Sequence, residues 1–179
     1  MTGRESRLVH FITLYQVVDK ETSGPYTAYH QQATSLRLAG RDIPPRKALL
    51  QDFSTYLRTL KNVNSHIVLM GDLNEVVGRN PSGFAKITSE FNLVDILGHF
   101  HGVKQEVATY ARGTDRIDYV FCSGALIPAV TRCGAEPFNQ HIFSDHRALF
   151  VDWNETVLFG AQAPSIAMYS QRRLQSKCK

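Results

Sequence analysis

The sequence predicts an α/β protein in which helices pack on a mixed or antiparallel sheet. Short runs rich in β-branched and aromatic residues have the length of strands, and longer runs with apolar residues every three or four positions have the spacing of helices. The two kinds of segment mix along the 179 residues without a regular strand–helix–strand rhythm. The composition, 43% hydrophobic and 20% charged, is typical of a globular domain rather than a disordered chain.

The first third of the chain is predicted to contain a strand and a short helix. Residues 9–18 are rich in β-branched and aromatic side chains, which favours a strand, and a polar loop over 19–27 follows it. Residues 28–38 are predicted to form a helix that ends at Gly40, because glycine readily terminates helices.

A second helix is predicted to begin at Pro44 and Pro45, since proline is tolerated in the first helical turn, and to continue for about 17 residues. Its apolar residues recur at helical spacing and should form one buried stripe: Leu49, Leu50, Phe53, Tyr56, Leu57 and Leu60. Its basic residues are predicted to lie on or beside a solvated polar face: Arg46, Lys47, Arg58 and Lys61.

The rest of the chain is predicted to alternate between short strands and one more helix. The continuous apolar run 67–70 is typical of a strand buried on both faces, and it leads directly into the polar segment 71–74. Residues 84–93 have the spacing of a short helix. Further strands are predicted over 109–111, 116–122, 129–133 and 146–153.

The formal net charge of +4 is confined to the end of the chain. Nothing acidic follows Glu155, and four of the 20 basic residues lie beyond it, so residues 1–155 carry 16 basic and 16 acidic side chains. The charge balance therefore adds little to a nucleic-acid hypothesis. We predict a domain over 1–155 and a basic, flexible tail over 156–179.

Several other classes of protein are disfavoured by the sequence. No apolar run reaches the roughly 18 residues of a membrane span, so no membrane partner is expected. The three cysteines are an odd number without metal-type spacing, which supports neither a disulfide framework nor a zinc site. No secretory signal is recognised. We therefore expect an intracellular location, with the nucleus as one candidate compartment, rather than secretion.

Polar groups with catalytic potential stand at the ends of the predicted strands. They are Asp72, Asn74, Asp118, Asp145 and His146. Carboxylates can bind Mg²⁺ and can orient or deprotonate water, and an imidazolium beside an aspartate can stabilise charge on a phosphate. Together these groups suit hydrolysis of a phosphate ester.

Each of these groups also has a structural interpretation. A Gly-Asp-x-Asn segment is commonly a turn, in which Asp72 and Asn74 bond nearby backbone. Asp118 could pair with Arg116, and the segment 144–146 could be a loop or a helix cap. The order of the groups and their positions beside strands favour the catalytic interpretation over these alternatives.

The motifs resemble the endonuclease/exonuclease/phosphatase superfamily, which has the DNase I-like fold. The resemblance rests on four segments that span most of residues 66–153: Gly71-Asp72-Leu73-Asn74, Thr109, Arg116-Ile117-Asp118-Tyr119 and Ser144-Asp145-His146. It implies two packed sheets flanked by helices, with the site at one edge of this layered β-sandwich.

The resemblance implies a role for each site residue. Asp72 would orient or deprotonate the attacking water, and Asn74 would position water or phosphate beside it. His146 would stabilise charge on the phosphate, and Asp118 would fix its tautomer. The supporting positions are, by the same resemblance, Tyr15 as a phosphate contact, Asp145 at the Mg²⁺ or Mn²⁺ site, Thr109 as a brace for the Asp145 loop, and Ser144 beside it.

The chain also departs from the family pattern. In the family, the glutamate that is the principal metal ligand lies upstream of the tyrosine strand, whereas only 14 residues precede Tyr15 here and Glu5 is too close to it. The asparagine shortly after the tyrosine is also absent, because Gln16 and Val17 follow. We therefore expect the C-terminal portion of the domain, with its N-terminal part missing, weak metal binding, and weak or no activity of the chain alone.

The resulting hypothesis is a Mg²⁺-dependent DNA endonuclease domain. The alternatives are a non-catalytic mobile-element remnant and a phosphatase of small phosphoesters or inositol lipids, because the motifs do not separate these substrates. A second resemblance, to endonuclease regions of retrotransposon-type reading frames, rests on 22–32, the Arg46-Lys47 helix and 136–139. It implies DNA as the partner and further domains of a longer polyprotein.

Overall fold

We describe the protein from a computed structural model, which describes residues 8–18, 26–62, 65–102, 107–140 and 142–159. Four predicted features lie wholly or partly outside these ranges. They are Glu5, most of the loop over 19–27 with part of the 22–32 segment, and the tail beyond residue 159.

The described part contains six strands, five α-helices and one 3-10 helix. The strands are β1 (Leu8–Tyr15), β2 (Ser65–Asp72), β3 (Leu93–Asp95), β4 (Asp118–Ser123), β5 (Val130–Ala135) and β6 (Leu149–Trp153). The helices are α1 (Ala28–Leu38), α2 (Pro45–Asn62), α3 (Phe84–Glu90), α4 (Ile96–His101) and α5 (Glu155–Phe159), with the 3-10 helix at Gly124–Ala129. The mixed α/β architecture predicted from the sequence is confirmed.

The strands form a four-stranded mixed sheet and a separate two-stranded sheet. The larger sheet has the order β1-β2-β4-β3, in which β1 and β2 are parallel and the other two pairs are antiparallel. The helices α1 and α2 form the crossover that a parallel pair requires. The smaller sheet is the antiparallel pair β5-β6.

The central strands β2 and β4 of the larger sheet are buried on both faces, as the apolar run 67–70 predicted for β2. On one face, Ile67 and Leu69 pack in a cluster with Phe53 and Leu57 of α2 and with Phe84 of α3. On the other face, Val68 belongs to a second cluster that includes residues of β4, the 3-10 helix and β5. Alternate side chains of a strand point to opposite faces, so one strand supplies both cores. This burial fixes the register that brings the strand ends together.

The helix α2 follows the predicted stripe with two corrections. Phe53, Leu57 and Leu60 are buried, but Tyr56 is 46% exposed, because it lies at the margin of the face that contacts the sheet. Arg46 was predicted on or beside a solvated face, and this was wrong. Its side chain is 13% exposed and bonded, because the first turn of α2 lies against the loop that follows β2.

Several predicted boundaries were also wrong. The strand predicted over 9–18 ends at Tyr15, and the helix predicted to end at 93 ends at Glu90, since Leu93 begins β3. The predicted strand 109–111 makes only the isolated bridge between Tyr110 and His146. These segments are shorter than predicted because pairing partners, which one sequence does not reveal, decide where a strand ends.

The predicted start of the tail at residue 156 lies within helix α5. Leu158 of this helix is buried and belongs to the same cluster as Val68 and Val130. No helix of the described residues is both long and apolar enough to cross a membrane.

Candidate functional site

Two carboxylates of the site are placed by the register of two neighbouring strands. Asp72 is the last residue of β2, Asp118 is the first residue of β4, and the two are directly opposite in the antiparallel pair. Both are partly buried, and they lie at the ends of the two central strands of the larger sheet. The burial of β2 and β4 therefore holds the two acids together on a rigid base.

His146 completes a compact cluster with these two acids. Its Nδ1 lies 2.9 Å from Oδ2 of Asp118. An ionised carboxylate only accepts hydrogen bonds, so Nδ1 donates its proton and Nε2 is directed elsewhere. Ligand atoms of Asp72, Asp118 and His146 all lie within 4.8 Å of one another. Three residues far apart in sequence therefore meet at one point.

Asn74 is fixed beside Asp72 by its backbone and its side chain. Its N–H donates to Oδ1 of Asp72 at 2.9 Å, and its Nδ2 donates to Oδ2 of Asp72 at 3.0 Å. The Nδ2 group also donates to the main-chain oxygen of Gln16 at 2.8 Å. The φ angle of Asn74 is 46°, a left-handed conformation that asparagine tolerates better than most residues. The turn interpretation and the site interpretation of Gly-Asp-x-Asn are thus compatible.

The electrostatics of the cluster shift the pKa values of Asp72 and His146. Burial raises the pKa of Asp72, with a further contribution from the charge of Asp118, although hydrogen bonds from Asn74 oppose the shift. Burial alone would lower the pKa of His146. The hydrogen bond to Asp118 and the charges of Asp118, Asp72 and Asp145 outweigh burial, so the pKa of His146 is raised. The site thus favours an imidazolium.

Thr109 is fully buried and links the start of β4, which carries Asp118, to the loop that carries His146. Its Oγ1 accepts from the N–H groups of Ile117 at 3.0 Å and Asp118 at 3.1 Å. Its carbonyl accepts from the N–H of Arg147 at 2.8 Å, and the N–H of Ala111 donates to the carbonyl of Asp145 at 2.8 Å. The segment around Thr109 therefore braces both the start of β4 and the loop that carries His146.

Ser144 shapes the backbone immediately before His146. Its Oγ accepts from the N–H of His146 at 3.0 Å, and its own N–H donates to Oδ1 of Asn139 at 3.2 Å. Tyr110 packs against the imidazole ring, with ring centroids 5.1 Å apart. These contacts restrict the orientation of His146.

Two predicted site residues are near the cluster but outside it. The carboxylate of Asp145 is not among the clustered ligand atoms of the described residues; it is 54% exposed and lies 3.9 Å from the guanidinium of Arg112. Tyr15 is paired with Asp72 in the parallel register of β1 and β2, and its side chain is half exposed. Tyr15 thus ends β1 beside Asp72, and Asp145 directly precedes His146 in the chain.

The cluster has a donor set that fits a divalent cation. Asp72 and Asp118 supply carboxylate oxygens, which Mg²⁺ and Mn²⁺ prefer. Because Nδ1 of His146 is bonded to Asp118, the carboxylates are the more available ligands.

Three residues with a structural role at the site were missed by the sequence reasoning. Gln16, Arg46 and Glu75 bond to one another and to the loop that contains Asp72 and Asn74. Their adjacency to Tyr15 and Asn74 in the sequence was the available signal for Gln16 and Glu75. The Arg46-Lys47 segment entered only through the resemblance to retrotransposon-type endonuclease regions, which gave Arg46 no role, and 29 residues separate it from Glu75.

Comparison with known proteins assigns the family. The endonuclease/exonuclease/phosphatase family model matches residues 7–146, which include every residue of the predicted site. The chain belongs to the endonuclease/exonuclease/phosphatase family. The family comprises endonucleases, exonucleases and phosphatases, and its members are generally dependent on divalent metals.

Solved structures also match this family member. One of them is a 3′ phosphatase from Neisseria bound to a product DNA hairpin, with a TM-score of 0.48 and 19% sequence identity. The match covers 63% of this chain and 56% of that chain, so the family member described here spans little more than half of that protein. No curated protein gives a significant match.

Proposed function

We propose that the site hydrolyses phosphodiester bonds of DNA with Mg²⁺ as its cofactor, and that the chain alone does so slowly. The observation that carries the proposal is the convergence of Asp72, Asp118 and His146 within 4.8 Å, beside Asn74. Asp72 can act as a base, Asp118 can orient His146, and a protonated His146 can stabilise negative charge on the phosphate. Phosphodiester hydrolysis requires groups of these kinds.

Asp72 is the proposed base for the attacking water. Its pKa is raised, so it is a stronger proton acceptor than an ordinary aspartate once it has ionised. Asn74 holds both of its oxygens through hydrogen bonds, which fixes the direction from which a water can approach. Asp72 takes a proton from the water as the water oxygen bonds to phosphorus and the bond to the leaving oxygen of the sugar breaks. The leaving oxygen then takes a proton from solvent.

His146 is the proposed stabiliser of the phosphate charge. Its Nδ1–H is held by Asp118 and its raised pKa favours the imidazolium form, whose Nε2–H can donate to a phosphate oxygen. A fixed cation at this position favours the transition state over the less charged ground state. Asp118 is thus a positioning residue for His146.

The proposed metal ligands are Asp72 and Asp118, with Asp145 and Tyr15 as neighbouring groups that contact the metal's water shell and the phosphate, respectively. A divalent cation at the cluster would supply neutralisation of the negative charge that develops on the phosphate. Among the described residues, no third carboxylate belongs to the cluster, so we expect weak Mg²⁺ binding and therefore slow turnover.

The surroundings of the site support a polymeric substrate. Arg112 is largely exposed beside Asp145, and Phe143 is 95% exposed three residues before His146. An exposed guanidinium can contact a phosphate of the backbone, and an exposed aromatic ring can stack on a base. A small phosphoester without an aromatic base would leave Phe143 without a stacking partner.

A substrate panel tests the choice of DNA. The purified chain is incubated with Mg²⁺ and, separately, with supercoiled plasmid, single-stranded RNA, p-nitrophenyl phosphate and a soluble inositol phosphate. The proposal predicts conversion of plasmid to the nicked circle, loss of this conversion with EDTA, and at most slow release of phosphate from the small esters. Faster hydrolysis of a small ester than of DNA would contradict the choice of substrate.

A further inference from the structure

A buried acid lies directly behind the catalytic loop. Glu75 follows Asn74 in the chain, and its carboxylate is 9% exposed. It accepts three hydrogen bonds: from Nη2 of Arg46 at 2.5 Å, from Nε2 of Gln16 at 3.0 Å and from the N–H of Phe84 at 2.6 Å. These three donors come from the end of β1, the start of α2 and the start of α3. Its carboxylate therefore joins three elements behind the edge of the site.

Arg46 connects the same acid to the backbone of the loop. Its Nη1 donates to the carbonyl of Asn74 at 3.3 Å and to the carbonyl of Val17 at 2.9 Å. Arg46 is thus held by two main-chain oxygens as well as by Glu75, and one of these oxygens belongs to a residue of the site. The planar, forked guanidinium suits such a group of acceptors.

Gln16 is the third member of the group and is fully buried. Its Nε2 donates to the carbonyl of Leu73 at 2.7 Å in addition to Glu75, and its main-chain N–H donates to the carbonyl of Asp72 at 2.9 Å. Its own carbonyl accepts from Nδ2 of Asn74. Every residue from Asp72 to Glu75 therefore has a hydrogen bond to Gln16.

We propose that Gln16, Arg46 and Glu75 are positioning residues that hold Asp72 and Asn74 in their catalytic orientation. The inference rests on the proposed function only for its effect on rate. Asn74 has a left-handed backbone, and such a conformation persists when its surroundings determine it strongly. The buried Arg46–Glu75 pair supplies this constraint, because Arg46 bonds to the carbonyl of Asn74 as well as to Glu75. Loss of either partner would leave a buried charge uncompensated and disturb the loop.

The chain offers a matched control for this group. Arg58 on α2 bonds to Glu90 of α3 at 2.7 Å, so it links directly the two helices that Arg46 links through Glu75 and the N–H of Phe84. Arg58 is more exposed than Arg46, and its guanidinium bonds to Glu90 rather than to the loop from Asp72 to Glu75. Substitution of Arg58 therefore tests the general effect of removing a link between α2 and α3.

The experiment compares Glu75→Gln and Arg46→Met with Arg58→Met. Amide hydrogen exchange, followed by NMR, reports on the N–H of Asn74, which bonds to Asp72, and on the N–H of Ala111, which bonds to Asp145 as an internal reference. We expect exchange of Asn74 to accelerate about tenfold in the first two variants, with Ala111 unchanged. We expect kcat for DNA to fall about 100-fold with KM nearly constant. Arg58→Met should change neither quantity.

The exchange measurement does not depend on catalysis, so it remains decisive if the wild-type chain has no nuclease activity. If a single variant fails to fold, the double variant Arg46→Met/Glu75→Gln removes both buried charges and avoids an unpaired one. The same acceleration at Asn74 is expected there. Folded variants whose Asn74 exchange matches that of Arg58→Met would overturn the positioning role.

Discussion

Asp72 and Asp118 are directly opposite each other in the antiparallel β2–β4 pair, and Nδ1 of His146 bonds to Oδ2 of Asp118. Two carboxylates in such a position repel each other, which contributes to the raised pKa of Asp72. The imidazolium of His146 and a divalent cation both relieve this repulsion. The arrangement is therefore better suited to binding cations than to stabilising the fold.

The Asp118→Asn variant is expected to lower the pKa of His146 in the metal-free protein. The hydrogen bond to the carboxylate and its charge raise this pKa against the effect of burial, so burial should dominate once the charge is removed. An NMR titration of the His146 ring measures the change directly. Asp152→Asn on β6 is the control, since Asp152 bonds to the exposed Arg132 instead. An unchanged pKa in Asp118→Asn would contradict the proposed pairing.

The same pair predicts how stability depends on pH without metal. The pKa of His146 in the folded protein is raised above its ordinary value of about 6.5, so folding binds the proton more tightly. The resulting stabilisation is fully present below pH ~6.5 and is lost as the pH rises through the folded pKa. Urea unfolding of wild type and Asp118→Asn should therefore differ most below this pH. A difference that grows as the pH rises would have the wrong sign.

Gly71→Ala is expected to destabilise the protein beside the catalytic aspartate. The φ angle of Gly71 is 153°, and a Cβ there would lie 1.8 Å from the carbonyl oxygen of Leu14 in the neighbouring strand. The strands β1 and β2 would have to separate at this point, at a cost of about 3 kcal/mol. Urea unfolding measures the loss. Gly40→Ala is the comparison, since its φ is also positive but no atom lies within 4 Å of the new Cβ.

Thr109→Val is expected to cost about 1–3 kcal/mol because two N–H groups lose their buried acceptor. Valine has nearly the same shape as threonine, so the cost reports the hydroxyl rather than a cavity. Thr109→Ser keeps the hydroxyl and should retain most of the affinity for the metal and most of the activity. Thermal unfolding with the ratio of kcat values checks both variants. Equal behaviour of the valine and serine variants would exclude the brace.

The position of Asp72 and Asn74 at the end of a buried strand was predictable from the local sequence pattern. The apolar run 67–70 identified a buried strand, and a polar segment directly after it had to emerge at the sheet edge. Asp118 and His146 could be joined to Asp72 only through the resemblance to a family, because a single sequence does not show which strands pair. The register of β2 and β4 then confirmed that Asp72 and Asp118 are neighbours.

The supporting residues were not predictable in the same way. The helical pattern of α2 separates buried from exposed positions, but it does not show which loop lies against the first turn, and so Arg46 was placed on the solvated face. Glu75 was not singled out from the sequence, because its three donors come from other elements. Contacts that close only in three dimensions leave no periodic signal in the sequence.

The cluster is expected to bind Mn²⁺ more tightly than Mg²⁺, because it offers only two carboxylates and Mg²⁺ gives up its waters reluctantly. Isothermal titration calorimetry on the metal-free protein measures both affinities. Asp72→Asn should weaken binding of either ion, since it removes one of the two carboxylates, whereas Asp152→Asn should leave binding unchanged. Equal affinities for the metal in these two variants would place the ion elsewhere.

Nicking of supercoiled plasmid reports whether Asp72 and His146 carry out hydrolysis of DNA. Wild type, Asp72→Asn, His146→Ala and the control Asp152→Asn are compared at saturating Mg²⁺, after circular dichroism has shown that each is folded. We predict slow nicking by wild type and by the control, and nicking rates lower by about 100-fold or more in the two site variants. Nicking at the wild-type rate in Asp72→Asn and His146→Ala, or no nicking by folded wild type, would contradict this prediction.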